Sequence, residues 1–203
     1  MSSEENKKLA AVITAAGLSS RMGDFKPLLP FGEGSIISRC VDNMKQAGAG
    51  EIIVVAGHRA EELKAHLAGS GCKVVINPRY AESHMFDSLC IGLRALEDGC
   101  GRVLISPVDV PAAKAETVKM LLEQEGGFVR PVFRGRAGHP VVLDGALIPA
   151  ILSHGGEGGL RGAAESLKIA IKDIETEDEG VSVDADTPED YKRILEIHRR
   201  DEK

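Results

Sequence analysis

Short apolar runs alternate with amphipathic stretches along most of this 203-residue chain, and that alternation limits the fold more than any single residue does. The run Leu9-Ala-Ala-Val-Ile-Thr14 is too short for a helix and apolar almost throughout, so 9–14 reads as a buried strand. A helix over 35–47 follows, with Ile36, Ile37, Cys40, Val41 and Met44 on one face and Gly48 as its stop. The same reasoning predicts strands over 51–56, 73–76 and 102–106, and helices over 59–67, 87–96, 112–124 and 187–199. Segments 128–133 and 140–143 are placed to pair across the connection 134–139. Segments 147–152 and 162–167 read as helical, and 168–172 and 180–183 as short strands. Such a pattern predicts an α/β fold, a three-layer αβα Rossmann-like domain with a mostly parallel sheet covered on both faces. The length suits one domain over 1–203. Trp is absent and aromatics make up 3%, so the core must be aliphatic. Sheets of this kind bind ligands beyond the carboxyl ends of their strands, near a switch in strand order. The loop after 9–14 and the segment 107–111 both leave strand ends, and should share one edge.

The loop after the first strand carries Gly17, Arg21, Gly23 and Lys26. Two fixed cations beside small residues suit a triphosphate. Glycines let the backbone come close, with its N–H groups turned to phosphate oxygens. Arg21 can fork onto phosphate, and Lys26 supplies a point charge. The P-loop spacing G-x-x-x-x-G-K-[ST] fails, because five residues separate Gly17 from Gly23, and the dinucleotide pattern G-x-G-x-x-G is absent. What remains is G-x-x-x-R-M-G-x-x-K-x-L-L-P. Further along, Asp109 follows an apolar run in Leu-Ile-Ser-Pro-Val-Asp-Val-Pro. A carboxylate there is placed to hold Mg²⁺, which prefers hard oxygen ligands and bridges phosphates; an Asp beside Pro is also an ordinary turn residue. Asp184 and Asp186 precede Thr187-Pro188-Glu189-Asp190, a helix start that accounts for the last two acids but not the first two. In an extended segment Asp184 and Asp186 would share a face, and two adjacent carboxylates ask for a cation.

The Gly17 loop resembles the signature of nucleotidyltransferases, and the wording Ile13-Thr-Ala-Ala-Gly-Leu-Ser-Ser-Arg-Met-Gly23 resembles the molybdenum cofactor cytidylyltransferase family. The resemblance runs from Val12 to Tyr191. It implies a nucleotide-diphospho-sugar transferase-like fold and Mg²⁺-dependent transfer of CMP from CTP to a molybdopterin-type phosphorylated acceptor. It also implies nucleotide contacts from Ala15, Ala16, Gly17, Ser19, Ser20, Arg21, Lys26, Asn77 and Ser88, with Arg21 and Lys26 as the catalytic cations. Asp109, Asp184 and Asp186 would be the metal end, Asp184 favoured over Asp186. The turn Gly138-His139-Pro140 and the loop Gly158-Gly159-Leu160-Arg161 resemble acceptor-side segments, which makes His139 and Arg161 acceptor candidates; each could equally be a plain surface residue. Ala16 is the residue that goes with cytidylyl transfer, since guanylyl-transferring relatives tend to carry Gly there. A methyl group at that point takes space that a purine needs. The chain departs from the family pattern at His84-Met85-Phe86-Asp87, where bulkier side chains replace Gly and small residues.

A formal charge of −6 argues against a general nucleic-acid binder. No apolar run approaches a membrane span, and the first eight residues are too polar and acidic for a signal peptide, which leaves a cytoplasmic enzyme as the expectation. Cys40, Cys72, Cys90 and Cys100 form no C-x-x-C pair and read as reduced thiols. Three other readings remain: guanylyl transfer, transfer to a sugar or polyol phosphate, and a non-catalytic carrier that hands molybdopterin to a client molybdoenzyme.

Overall fold

The computed structural model describes residues 8–18 and 22–201. In chain order the elements are β1 (Lys8–Ala15), a hairpin of β2 (Pro30–Phe31) and β3 (Gly34–Ser35), α1 (Ile36–Gln46), β4 (Glu51–Ala56), α2 (Ala60–His66), β5 (Lys73–Ile76), α3 (Met85–Arg94) and β6 (Cys100–Pro107). Then come α4 (Ala115–Leu122), β7 (Phe128–Phe133), β8 (Arg136–Ala137), β9 (Val141–Asp144), α5 (Ile148–Leu152), α6 (Gly159–Ser166), β10 (Ile171–Glu175) and α7 (Pro188–Asp201).

The main sheet has the order β10-β7-β9-β6-β1-β4-β5, with β8 paired to β7. β1 lies parallel to β4 and β6, β4 to β5, and β10 to β7, while β9 runs antiparallel to both of its neighbours. The chain builds outward from β1 through β4 to β5, then returns to place β6 on the other side of β1. That reversal opens a crevice at the carboxyl ends of β1 and β6.

Period-two alternation sends successive strand residues to opposite layers. Ala11, Ile13, Ile52, Val54 and Leu104 face α1, α2, α4 and α7, whereas Val12, Ile53, Val55, Val103 and Ile105 face α3, α5 and α6. The core is aliphatic with a few Phe rings, as composition requires. The four cysteines are unpaired, and among the described residues no helix is long and apolar enough to cross a membrane.

Several element bounds differ from expectation, and three of the differences have a visible cause. Residues 180–183 do not form a strand; Glu179–Ser182 is a 3-10 turn. The Asp178 carboxylate accepts Gly180 N–H at 3.0 Å through one oxygen, and Lys114 N–H and the Thr117 hydroxyl at 2.8 Å through the other, which folds the segment back onto α4. The strand expected over 168–172 forms at Ile171–Glu175, because Lys168 ends the α6 connection in a left-handed conformation. α3 begins at Met85, ahead of the expected 87, because the Asp87 carboxylate accepts His84 N–H at 2.8 Å and closes the first turn early.

α3 lies directly on the sheet at Gly92, where a Cβ would fall 2.4 Å from Val12 Cγ1 and 2.9 Å from Val55 Cγ2. Gly92→Ala is therefore expected to destabilise the fold by about 1–3 kcal/mol through overpacking, measured as a lowered midpoint of urea unfolding.

Candidate active site

β1 and β6 run in register as far as Thr14 opposite Pro107, and Val108 N–H donates to Thr14 O at 3.0 Å. The Gly17 loop and the Asp109 turn thus leave the sheet side by side, on one edge. Phe25 anchors the returning end of the loop: it is buried, with the Arg59 guanidinium 4.8 Å over its ring and His58 edge-on at 5.8 Å. Gly57 allows the loop to seat, since a Cβ there would lie 2.6 Å from Ala16 O. A 3-10 turn over Lys26–Leu28 then directs the lysine inward.

Lys26 is only 8% exposed. Its Nζ lies 2.8 Å from Asp186 Oδ1 and 3.6 Å from Asp109 Oδ2. Asp186 is carried by the segment before α7, which is fastened from both sides. Ala185 N–H donates to Asp109 O at 2.8 Å, and the Tyr191 hydroxyl donates to Pro30 O at the end of the Gly17 loop. Thr187 and Asp190 form a reciprocal cap on α7.

The segment 184–186 is not extended. Asp186 N–H donates to Asp184 O at 3.0 Å, a three-residue turn around the fully buried Ala185. The two carboxylates therefore serve different partners: Asp186 meets Lys26, while Asp184 meets Arg136 at 3.3 Å. Burial and then the nearby Asp109 carboxylate raise the Asp184 pKa, with Arg136 opposing. Asp109 Oδ1 is buried and has no hydrogen-bond partner among the described residues. No group of three or more His, Cys, Asp or Glu among those residues forms a ready-made metal cage.

A cleft of about 170 Å³ opens over this pair, lined by Thr14 to Gly17, Lys26, Ser88 and Asp109, with Tyr80, Ser83, His84 and Met85 across from them. Of the residues expected to contact the nucleotide, Ala15, Ala16, Gly17, Lys26 and Ser88 line this cleft. Ser19, Ser20 and Arg21 lie outside the described residues. Asn77 is not in the lining. It is buried behind the wall, donating to Ser83 Oγ at 2.8 Å and Ser88 Oγ at 3.0 Å and accepting from Arg79 N–H at 3.0 Å. It orients two residues of the wall instead of reaching the cleft. His139 is neither in the cleft lining nor in open solvent. Its N–H donates to Val181 O at 2.8 Å, its Nδ1 is buried, and burial pushes its pKa down against the opposing field of Asp109. Arg161 is exposed on α6, pairs with Glu165 at 2.8 Å, and does not line the cleft.

The sequence reading missed the support beneath Asp109. Asn43 sits on the buried face of α1, where an apolar residue would be expected. Its Nδ2 donates to Pro111 O and Ala113 O, each at 3.1 Å. Cys40, one turn earlier, points its Sγ at Val108 O at 3.5 Å, and burial followed by the Asp109 charge keeps it a neutral thiol. The backbone on both sides of Asp109 is therefore held from α1. A polar residue on an apolar helix face was the signal available in sequence. Asn43→Leu leaves two buried carbonyls unsatisfied and is expected to lower stability by about 2–4 kcal/mol, checked by thermal and denaturant unfolding against Cys40→Ala.

A family model described as MobA-like NTP transferase domain matches residues 11–172. The chain is 28% identical over 183 residues to the molybdenum cofactor cytidylyltransferase of Escherichia coli (strain K12), covering 89% of this chain and 92% of that one. It is also 28% identical over 198 residues to the nicotine blue oxidoreductase of Paenarthrobacter nicotinovorans, covering 92% and 96%. A solved nucleotidyl transferase from Methanothermobacter thermautotroptrophicus superposes with a TM-score of 0.83 at 26% identity, covering 96% of this chain and 99% of that one.

Proposed function

The chain belongs to the MobA-like NTP transferase family, and from that premise we propose that it transfers CMP from CTP to the phosphate of molybdenum-bound molybdopterin, releasing pyrophosphate. The observation that carries the reading is a buried lysine, ion-paired to Asp109 and Asp186, at the mouth of a glycine loop on the switch edge of the sheet. The similarity to a cytidylyltransferase and the methyl of Ala16 in the cleft wall favour CTP over a purine nucleotide. One methyl group is worth roughly 1–3 kcal/mol, a bias and not a bar.

In this mechanism the acceptor phosphate, already ionised at neutral pH, attacks the α-phosphorus in line. A new P–O bond forms, the α–β bridge breaks, and the electron pair leaves on pyrophosphate. No general base is needed, so positioning and charge stabilisation dominate. Lys26 holds the triphosphate and meets the charge that develops on the leaving group. Arg21 would fork onto the same phosphates. Main-chain N–H groups of the Gly17 loop provide further donors. Asp109 and Asp186 fit Mg²⁺: Asp109 offers a buried oxygen with no partner among the described residues, and Mg²⁺ takes one or two carboxylates with phosphates completing its shell. Asp184 stands beside them as a further candidate ligand. When bound, Mg²⁺ would screen the phosphate charges and polarise the α-phosphate.

The direct test is pyrophosphate release with Mg²⁺ and molybdenum-loaded molybdopterin, run in parallel with CTP, GTP and ATP. Pyrophosphate is the right readout because one relative is named an oxidoreductase, and a redox reaction liberates none; release that depends on the acceptor separates transfer from hydrolysis of the nucleotide. Release with CTP is expected. Release with GTP alone would move the protein to guanylyl transfer, and silence with all three would remove the reading. Lys26→Ala is expected to lose about 100-fold or more in turnover while keeping a wild-type circular dichroism spectrum; near-normal turnover would dismiss its role.

A further inference from the structure

Arg136 reaches the acids of the cleft from a different part of the fold than Lys26 does. It lies on β8, which pairs antiparallel with β7 so that Phe133 stands opposite Arg136. Arg134 and Gly135 between them are both left-handed, with φ of 49° and 78°, which makes the hairpin turn tight. The Arg134 guanidinium sits 5.0 Å over the Phe133 ring and steadies the tip. Beyond β8 the chain is tied down twice: Gly138 N–H donates to Pro131 O and His139 N–H to Val181 O, each at 2.8 Å. Gly138 lies so close to Val181 O that a Cβ has no room there. Val181 stands just ahead of Asp184, and Ala185 N–H, just after it, donates to Asp109 O. Backbone contacts thus bind the hairpin, Asp184 and Asp109 into one frame, and within it the Arg136 side chain is the adjustable part.

Among the described residues, two cations meet three carboxylates at this end of the cleft, and they do so differently. Lys26 is buried and reaches two acids. Arg136 reaches one. Its Nη2 lies 3.3 Å from Asp184 Oδ2, a single long contact, with the Arg136 side chain 63% exposed and that of Asp184 42%. A solvated ion pair held at one point is weak and easily exchanged. A guanidinium also takes phosphate oxygens two at a time, which this contact does not offer it. Of the charges acting on Asp184, that of Asp109 is the largest, and Asp109 Oδ1 is buried with no partner among the described residues. A divalent cation drawn to these two acids has to compete with Arg136 for Asp184.

We propose that Arg136 is an exchangeable counter-ion, which covers Asp184 against free divalent cations and yields it when a phosphate offers the guanidinium a second partner, so that metal binding waits on the nucleotide. The role rests on the nucleotidyl-transfer reading, which brings a triphosphate to Lys26. The two cations then divide the work. Lys26, held by burial, marks the place of the phosphates. Arg136, held by one exposed contact, controls when Asp184 is open to a metal ion. Arg136 acts through Asp184 and is a positioning residue.

The test reads binding, not turnover. Mn²⁺, which shares the oxygen ligands of Mg²⁺, is titrated without nucleotide, and its free fraction is read by electron paramagnetic resonance. Arg136→Gln is expected to bind Mn²⁺ about three- to fivefold more tightly than the wild type, with an unchanged circular dichroism spectrum. In the Asp184→Asn background the same change should move Mn²⁺ affinity by less than about twofold, because the partner is gone. Calorimetry then follows CTP with and without Mn²⁺. The complex of Mn²⁺ with CTP in solution is common to every variant and cancels between them. Because linkage is reciprocal, the gain in CTP affinity from Mn²⁺ should shrink by the same three- to fivefold, roughly, in Arg136→Gln. Three results overturn the exchange role and leave nucleotidyl transfer standing: Mn²⁺ bound no more tightly by Arg136→Gln, equal tightening in the Asp184→Asn background, or an unchanged gain for CTP. A wild type that binds no CTP, with or without Mn²⁺, removes the nucleotidyl-transfer reading and the exchange role with it.

Discussion

Lys26 sits where three distant stretches of chain must agree. It belongs to the loop that follows β1, Asp109 to the turn that follows β6, and Asp186 to the segment before α7. A nearly buried ammonium is costly unless carboxylates meet it, and two partly exposed carboxylates do so at 2.8 and 3.6 Å. Such a cluster adds little net stability, because its attraction is spent against desolvation. Its value is in placement. Any drift of α7, of the β6 turn or of the Gly17 loop would separate the charges, so the cluster selects the arrangement that the cleft requires. A site that receives a polyanion needs its cation held in position beforehand, without the cation straining the apo fold, and the two acids meet that need.

Neutral groups do the rest of the positioning. The Asn43 amide, the Cys40 thiol and the backbone of His139 hold the strands and turns around Asp109 by hydrogen bonds alone. This choice follows from the field. A further fixed charge beneath Asp109 would compete with Lys26 or with an incoming cation, whereas an uncharged amide fixes the backbone and leaves the carboxylate chemistry alone. Cys40 and His139 are both kept in their neutral forms by burial, which serves the same end.

The layers, the parallel centre of the sheet and the edge that carries the loops were legible because they follow from local pattern: apolar runs of strand length, helices with one apolar face, and loops at strand ends. The pairing of 128–133 with 140–143 was legible for the same reason. What escaped depends on contacts between distant residues. Asp178 turns 179–182 away from strand geometry by reaching Lys114 and Thr117, which nothing in its neighbourhood signals. Asn77 looks like a ligand contact in sequence, but its three polar neighbours consume it. Asp184 and Asp186 share a face if 184–186 is extended, with Asp184 the favoured ligand, but the tight turn at Ala185 sends Asp184 to Arg136 and Asp186 to Lys26.

The cleft has two walls of different character. One is made by the ends of β1 and β6, whose register, backbone hydrogen bonds and charge cluster leave little freedom. The other is made by the first turn of α3, which reaches the core through the Phe86 side chain, and by the glycine turn 155–159. Substitutions on the first wall disturb phosphate chemistry and the core together. On the second they alter shape and polarity while the sheet stays as it is. A fold divided in this way can keep one phosphate-handling end and change what it presents to the other substrate, and the bulky His84-Met85-Phe86 run falls on the side where such change costs the scaffold least.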